Sequence, residues 1–248
     1  MKRQRDGFTI IEVILFLAIT GLMVAGMLVG VTLALRQQQY RDTVQSFAHF
    51  LKDQYSRVIS VENDRPATST CPISGAKNDG ARGQSSCVIV GRYIASTDAR
   101  TYAVYPLYAL RVADGSGWRY GYADGERVNY QVGWGAQARF AGRSGALTPV
   151  MSLVLYRHPD NGSLVIQTND VTYTNTAVTH FVEGKRPNGA TYTTDEASWL
   201  TEAREFCVYE NGWSVGQRLS VFLAVKAGSS EAVTTGHATE RCHNATTA

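Results

Sequence analysis

A chain of 248 residues with 44% hydrophobic residues has the size and composition of one ordinary folded domain plus an additional segment, which argues against a multidomain protein. The formal net charge is +3, and Lys2, Arg3, Arg5 and Asp6 supply +2 of it, so the chain after Gly7 carries about +1 and the charge argues for little beyond membrane orientation. After residue 60, Gly, Thr, Ser and Tyr are plentiful while Leu, Lys and Glu are sparse, a balance that favours strands and turns over helices.

The first element runs from Val13 to Leu35, 23 residues without a charge, long enough to cross a bilayer as a helix. Basic residues ahead of it hold that end in the cytoplasm, which sends the rest of the chain outside. A removable secretory signal is cut on the far side of its apolar stretch after small residues, and here that side reads Val31-Thr32-Leu33-Ala34-Leu35-Arg36, a poor match. On the near side, Gly7 separates the charged leader from Phe8, so a cut after Gly7 keeps the helix. Glu12 lies inside the apolar run, where an unpaired carboxylate is costly. If the chain begins at Phe8, its new α-amino group is one helical turn from Glu12, and the two could pair within one chain or between staggered chains.

The segment MKRQRDGFTIIEVILFLAITGLMVAG resembles the prepilin signal of type IV pilins and of the pseudopilins of type II secretion and competence systems. The resemblance implies a division into a leader at residues 1–7, a transmembrane and assembly helix at 8–35, its amphipathic continuation at 36–63, and a β-rich head at 64–248. It implies that prepilin peptidase cuts after Gly7, that Phe8 becomes the N-methylated first residue, and that Glu12 guides assembly. One feature departs from many filament-forming members, which carry a proline in the membrane half of the helix. Here the first proline is Pro66, while Gly21, Gly26 and Gly30 interrupt the apolar run.

Beyond the span, Tyr40, Val44, Phe47, Leu51, Tyr55 and Val58 recur at steps of three or four, with Arg41, Lys52, Asp53 and Arg57 elsewhere. This predicts an amphipathic helix lying on a globular head and ending at Asn63 to Pro66. Four cysteines, Cys71, Cys87, Cys207 and Cys242, fall on the side that topology places outside the cytoplasm, and are read as two disulfides. Three connectivities are possible. The sequential one, Cys71 with Cys87 and Cys207 with Cys242, is favoured because each pair brackets a polar stretch rich in Gly or Ser/Thr.

From Cys87 onward, short apolar or alternating runs separated by turn residues predict an antiparallel sheet. The expected strands are Cys87 to Ile94, Thr101 to Val112, Trp118 to Ala123, Val128 to Gly133, Val150 to Arg157, Ser163 to Thr168, Val171 to Phe181, Glu205 to Tyr209 and Arg218 to Lys226. Hairpin turns are expected at Asp114 to Gly117, Pro159 to Gly162 and Glu210 to Gly212. Thr193 and Glu196 have the spacing of a capping box opening a short helix. The stretch from Glu205 to Cys242 resembles the disulfide-closed final hairpin of many pilins.

No catalytic constellation is evident. His49, His158, His180, His237 and His243 are scattered, and no HExxH, GxSxG or Gly-rich phosphate loop is present, so neither an enzyme, a cofactor nor a metal is expected. Tyr102, Tyr105, Tyr108, Trp118, Tyr120, Tyr122, Tyr130 and Trp134 crowd the middle of the chain. Exposed, they could stack on sugars or bases, with Arg139, Arg143, Arg157, Lys185 and Arg186 as phosphate contacts, but aromatic residues in strands more often pair with one another.

The expectation is an α+β, pilin-like chain, with a long N-terminal helix packed on an antiparallel sheet and two disulfides. The resemblance implies a structural subunit, anchored by a single pass in the cytoplasmic (inner) membrane and then drawn by a pilus assembly platform into an extracellular filament. Its partners would be prepilin peptidase, the membrane and other pilin subunits. A mature chain of 241 residues is long for a major pilin, which favours a minor one. Alternatives are a pseudopilin of a secretion or competence machine, and a tip adhesin or DNA-binding pilin touching a host surface or nucleic acid.

Overall fold

The computed structural model describes residues 9–60, 70–73, 86–112, 117–210, 217–224 and 229–243. The leader, the Gly7–Phe8 junction, most of the loop between Cys71 and Cys87, and most of the turns expected at Asp114 to Gly117 and Glu210 to Gly212 lie outside those residues.

Helix α1 runs unbroken over Ile10–Ile59, 50 residues, or about 75 Å at 1.5 Å per residue. Thr9 caps it: its hydroxyl accepts the Glu12 amide, and the Glu12 carboxylate returns to the Thr9 amide, a reciprocal box that satisfies two otherwise orphaned groups. All six residues of the predicted apolar stripe, from Tyr40 to Val58, are buried, while Arg41, Asp53 and Arg57 are exposed. The helix stops at Ser60, before the expected stop at Asn63 to Pro66. Among the described residues, Val58 is the last fully buried residue of the helix.

Two antiparallel sheets form the head. The larger contains β1 (Cys87–Ser96), β2 (Thr101–Arg111), β3 (Trp118–Tyr122), β4 (Val128–Gln131), β7 (Met151–Arg157) and β8 (Leu164–Asn169). Its order is β3-β2-β1-β7-β8, and β4 pairs with the first residues of β2 while β3 pairs with the last, so the two short strands share one flank of β2. The smaller contains β5 (Gln137–Ala141), β6 (Leu147–Thr148), β9 (Arg204–Tyr209), β10 (Leu219–Leu223) and β11 (Val233–His237), in the order β11-β10-β9-β5-β6. Where β1 crosses β7 the backbones approach so closely that a Cβ on Gly91 would lie 2.0 Å from the Leu155 carbonyl oxygen. Only glycine fits there.

The main core lies between α1 and the inner faces of both sheets, with Phe47, Leu51 and Tyr55 of the helix set against Ile94, Tyr102, Leu153, Phe140 and Phe206. A second core covers the other face of the larger sheet, where Tyr93, Tyr122 and Tyr156 meet α2 (Val178–Val182) and α3 (Thr194–Leu200). A third, small cluster surrounds the Cys71–Cys87 disulfide. The second disulfide joins Cys207 on β9 to Cys242 on α4 (Glu240–His243), so the pairing is the sequential one. Cα separations are 6.0 and 5.5 Å, and all four cysteines are buried. Each link contributes about 3 to 4 kcal/mol on the chain-entropy estimate.

The strand expected at Val171 to Phe181 is not formed. That segment turns at Thr174 to Ala177 and enters α2. Its β-branched residues suit a strand locally, but the tertiary setting overrides this: the edge of β3 needs hydrogen-bond partners, and side chains supply them. The Tyr122 amide donates to Asn175 Oδ1 at 2.7 Å, the Tyr120 amide donates to Thr179 Oγ1 at 3.0 Å, and that hydroxyl donates to the Tyr120 carbonyl at 2.8 Å. Asn175 in the turn and Thr179 in α2 thus match Tyr122 and Tyr120, alternate residues along the edge of β3. The edge is thereby closed to pairing with another chain. The capping box of α3 forms as expected from Thr193 and Glu196.

Candidate functional site

The proximal half of α1 is the most unusual surface of the molecule. Nearly every residue from Ile10 to Leu35 is exposed, including Ile10 at 79% and Leu22 at 76%, although the run is long and apolar enough to cross a membrane. Water does not tolerate so continuous an apolar face, so lipid or other protein must cover it. Its few polar groups are satisfied within the helix, as a membrane interior demands: Thr20 Oγ1 donates to the Phe16 carbonyl at 2.8 Å, and Thr32 Oγ1 donates to the Leu28 carbonyl. A Cβ placed on Gly21, Gly26 or Gly30 would meet nothing within 4 Å, so nothing inside this chain requires a glycine there. Gly26 and Gly30 are four residues apart on one face, the spacing that lets neighbouring helices approach closely in membranes.

Glu12 stands at the tip of this helix with its carboxylate turned back on Thr9. The carboxylate thus lies beside the positive end of the helix dipole. Thr9 is a contributor that the sequence reading passed over, although Thr9-x-x-Glu12 has the spacing of a capping box. Gly7 and Phe8 lie outside the described residues.

The two halves of α1 meet at Tyr40, which fastens the helix to the smaller sheet. The β9–β10 pairing ends at Cys207 and Ser220, and the Tyr40 hydroxyl occupies the next rung: it accepts the Leu219 amide at 2.7 Å and faces the Val208 and Leu219 carbonyls at 3.2 and 3.0 Å.

The other sequence candidates are dispersed. Of the eight central aromatic residues only Trp134 is largely exposed, at 68%, on a left-handed turn flanked by Gly133 and Gly135. Four of the five cations are engaged with neighbouring side chains. Arg143 lies over Tyr192 and Trp199 and contacts Glu196, Arg186 bonds Glu196 bidentately, Lys185 pairs with Glu183, and Arg139 bonds Gln137. Those hydrogen bonds from the Thr193 amide and Arg186 hold the Glu196 carboxyl below its ordinary pKa. Among the described residues, Glu205, Cys207 and Cys242 cluster at metal-ligand distances, but the two sulfurs are committed to a disulfide and offer no thiolate.

This arrangement, a long N-terminal apolar helix packed on an antiparallel sheet, is consistent with a pilin-like shape. No protein-family model matches the chain, and comparison with curated proteins and with solved structures likewise gave no match.

Proposed function

We propose that the chain is a structural subunit of a pilus-type filament, a minor pilin, drawn from the inner membrane into the filament through the exposed half of α1. The supporting observation is continuity. The apolar half and the docked half are one helix without a break, so the segment that needs covering is built into the head's own core through Tyr40, Phe47 and Tyr55. A disposable signal has no reason to be joined in this way. Lipid covers the apolar half before assembly, and neighbouring copies or related subunits cover it afterwards, with Gly26 and Gly30 as points of close approach. Glu12, fixed at the helix tip, offers its charge to a terminal amine at Phe8 of the same or a neighbouring subunit.

Two measurements test this. Intact mass and N-terminal sequencing of membrane-extracted protein are expected to show a methylated Phe8 as the first residue, and Met1 or a start near Leu35 refutes the processing step. Glu12→Ala is expected to insert normally but to be depleted from sheared filaments. Glu12→Gln retains a capping-box acceptor and loses the charge, so full incorporation of the Gln variant reduces Glu12 to a helix cap.

A further inference from the structure

On the face of the larger sheet opposite α1, beside the core that it forms with α2 and α3, a tyrosine cluster borders an open groove. On β1 and β2 the residues directed to this outer face include Tyr93 and Ala95, and Ala103 and Tyr105, while Ile94, Tyr102 and Val104 point to the main core. In the antiparallel register Ala95 lies directly opposite Ala103, and Tyr93 directly opposite Tyr105. Two methyl groups therefore face each other beside a tyrosine cluster, and the missing side-chain volume leaves an open groove of about 540 Å³, within the usual range of small-ligand sites.

The walls of this groove are held in place. Tyr122 stacks on Tyr93 with centroids 5.1 Å apart and lies 4.5 Å from Tyr105. The Tyr93 hydroxyl donates to the Tyr173 carbonyl at 3.0 Å and accepts the Tyr173 amide at 2.8 Å, and the Tyr122 hydroxyl donates to the same carbonyl at 3.2 Å. The segment Thr172 to Thr174 that forms the far wall is thus pinned by the aromatic floor. Asp98 Oδ1 accepts the Arg100 and Thr101 amides, each at 2.8 Å, and the Ser96 hydroxyl at 3.3 Å, which orients the carboxylate at the groove's edge. Burial raises the Asp98 carboxyl pKa, but these hydrogen bonds outweigh it and hold the group below its ordinary value. Among the described residues, the side chains of Arg127, Asn129 and Tyr105 make no hydrogen bond or ion pair, so the rim offers donors and acceptors with no internal partner.

We infer that this groove is a saccharide-binding site that takes one pyranose ring of a neutral glycan, with the apolar ring face on Ala95, Ala103 and Tyr105 and the hydroxyls at Asp98, Arg127 and Asn129. The chemistry of the lining selects the class. A flat apolar floor bordered by a carboxylate, a guanidinium and an amide matches a ring that is apolar on one face and hydroxylated at its edge. The two rim charges cancel, so neither an anionic nor a cationic ligand is favoured. A nucleic-acid strand would set its phosphates against Asp98 with only Arg127 to neutralise them. The groove lies on the sheet face away from α1, so its exposure does not depend on what covers the helix, and the inference stands apart from the filament reading.

The test uses the full chain in nanodiscs, since glycoside detergents would compete. Saturation-transfer NMR with the methyl glycosides of glucose, galactose, mannose and N-acetylglucosamine is expected to show at least one ligand with a dissociation constant of about 1 mM, the weak end of the affinity scale. Ala103→Phe, which fills the floor, is expected to weaken binding at least tenfold, and Arg127→Ala, at an exposed position that leaves the fold unchanged, severalfold. Val128→Ala, at the adjacent β4 position, is expected to bind as the parent does. The inference is overturned if none of the four glycosides binds, if Arg127→Ala and Ala103→Phe bind unchanged, or if single-stranded oligothymidylate binds at this site in place of the glycosides.

Discussion

Two buried tyrosines on the same helix face provide a paired test of how α1 is held. Tyr40→Phe keeps the ring and removes a hydroxyl that completes a rung between β9 and β10, leaving the Leu219 amide and the Val208 carbonyl without that partner. An unsatisfied buried polar group costs about 1 to 3 kcal/mol. Leu219 is only partly buried, so water recovers some of this, and a loss of about 2 kcal/mol is expected. For a head of this size each kcal/mol lowers the melting temperature by about 2 to 4 °C, giving a fall of roughly 4 to 8 °C. Tyr55→Phe removes a hydroxyl that is fully buried and has no hydrogen-bond partner among the described residues, so it should be neutral or stabilising by about 1 kcal/mol, because a desolvated group disappears with no bond lost. Near-ultraviolet circular dichroism of the full chain in detergent, followed through thermal and urea unfolding, reads both variants with little interference from the apolar half of α1, which holds no Tyr or Trp. If both lose the same stability, or if Tyr40→Phe lies within about 0.5 kcal/mol of the parent, the proposed rung contributes nothing.

The edge of β3 gives a second case. Thr179→Val and Asn175→Ala each remove side-chain bonds to the Tyr120 or Tyr122 backbone, and each is expected to cost about 1 to 2 kcal/mol, with the double variant also aggregating more readily as the edge opens; unchanged light scattering on heating would contradict the edge-sealing role. Alkaline titration gives a third. Burial pushes the Tyr122 phenol up to about 12, and burial also raises Tyr93, Tyr102, Tyr120 and Tyr156. Unfolded tyrosines ionise near pH 10, so the stabilisation is complete below about 10 and is lost as pH rises toward and beyond 12, because the unfolded state releases protons that the native state keeps. Tyrosinate absorbance should therefore rise in two phases, the second coinciding with loss of ellipticity; a single phase near pH 10 with the fold intact would refute the burial argument.

What the sequence made legible follows from periodicity. The helix stripe from Tyr40 to Val58 was readable because every contact it makes is on one face at a fixed step, and most core strands were readable because alternation marks which side is buried. The disulfide pairing was favoured from loop composition and is the one formed. Val171 to Phe181 misled because its β-branched residues serve an edge more than 50 positions away in the chain, a partnership with no local signature. β5 was passed over because its alternation rests on Ala138 and Phe140 among half-exposed neighbours, and β11 because Thr234, Thr235 and Gly236 dilute its single buried residue, Val233. Thr9 was readable but went unread. The groove was not readable, since Ala95 and Ala103 are unremarkable until strand register sets them opposite one another.

The unbroken helix also has a mechanical meaning. Because α1 contains no proline and is unbroken between Ile10 and Ile59, a pull along its axis is carried by one continuous ladder of backbone hydrogen bonds, weakest at Gly21, Gly26 and Gly30. The load passes from the apolar half to Tyr40 and from there into the ends of β9 and β10, and the Cys207–Cys242 bond ties β9 onward to α4. A head fastened in this way takes tension through the same buried stripe and Tyr40 bonds that hold it on its helix, so drawing the two apart would break the main core.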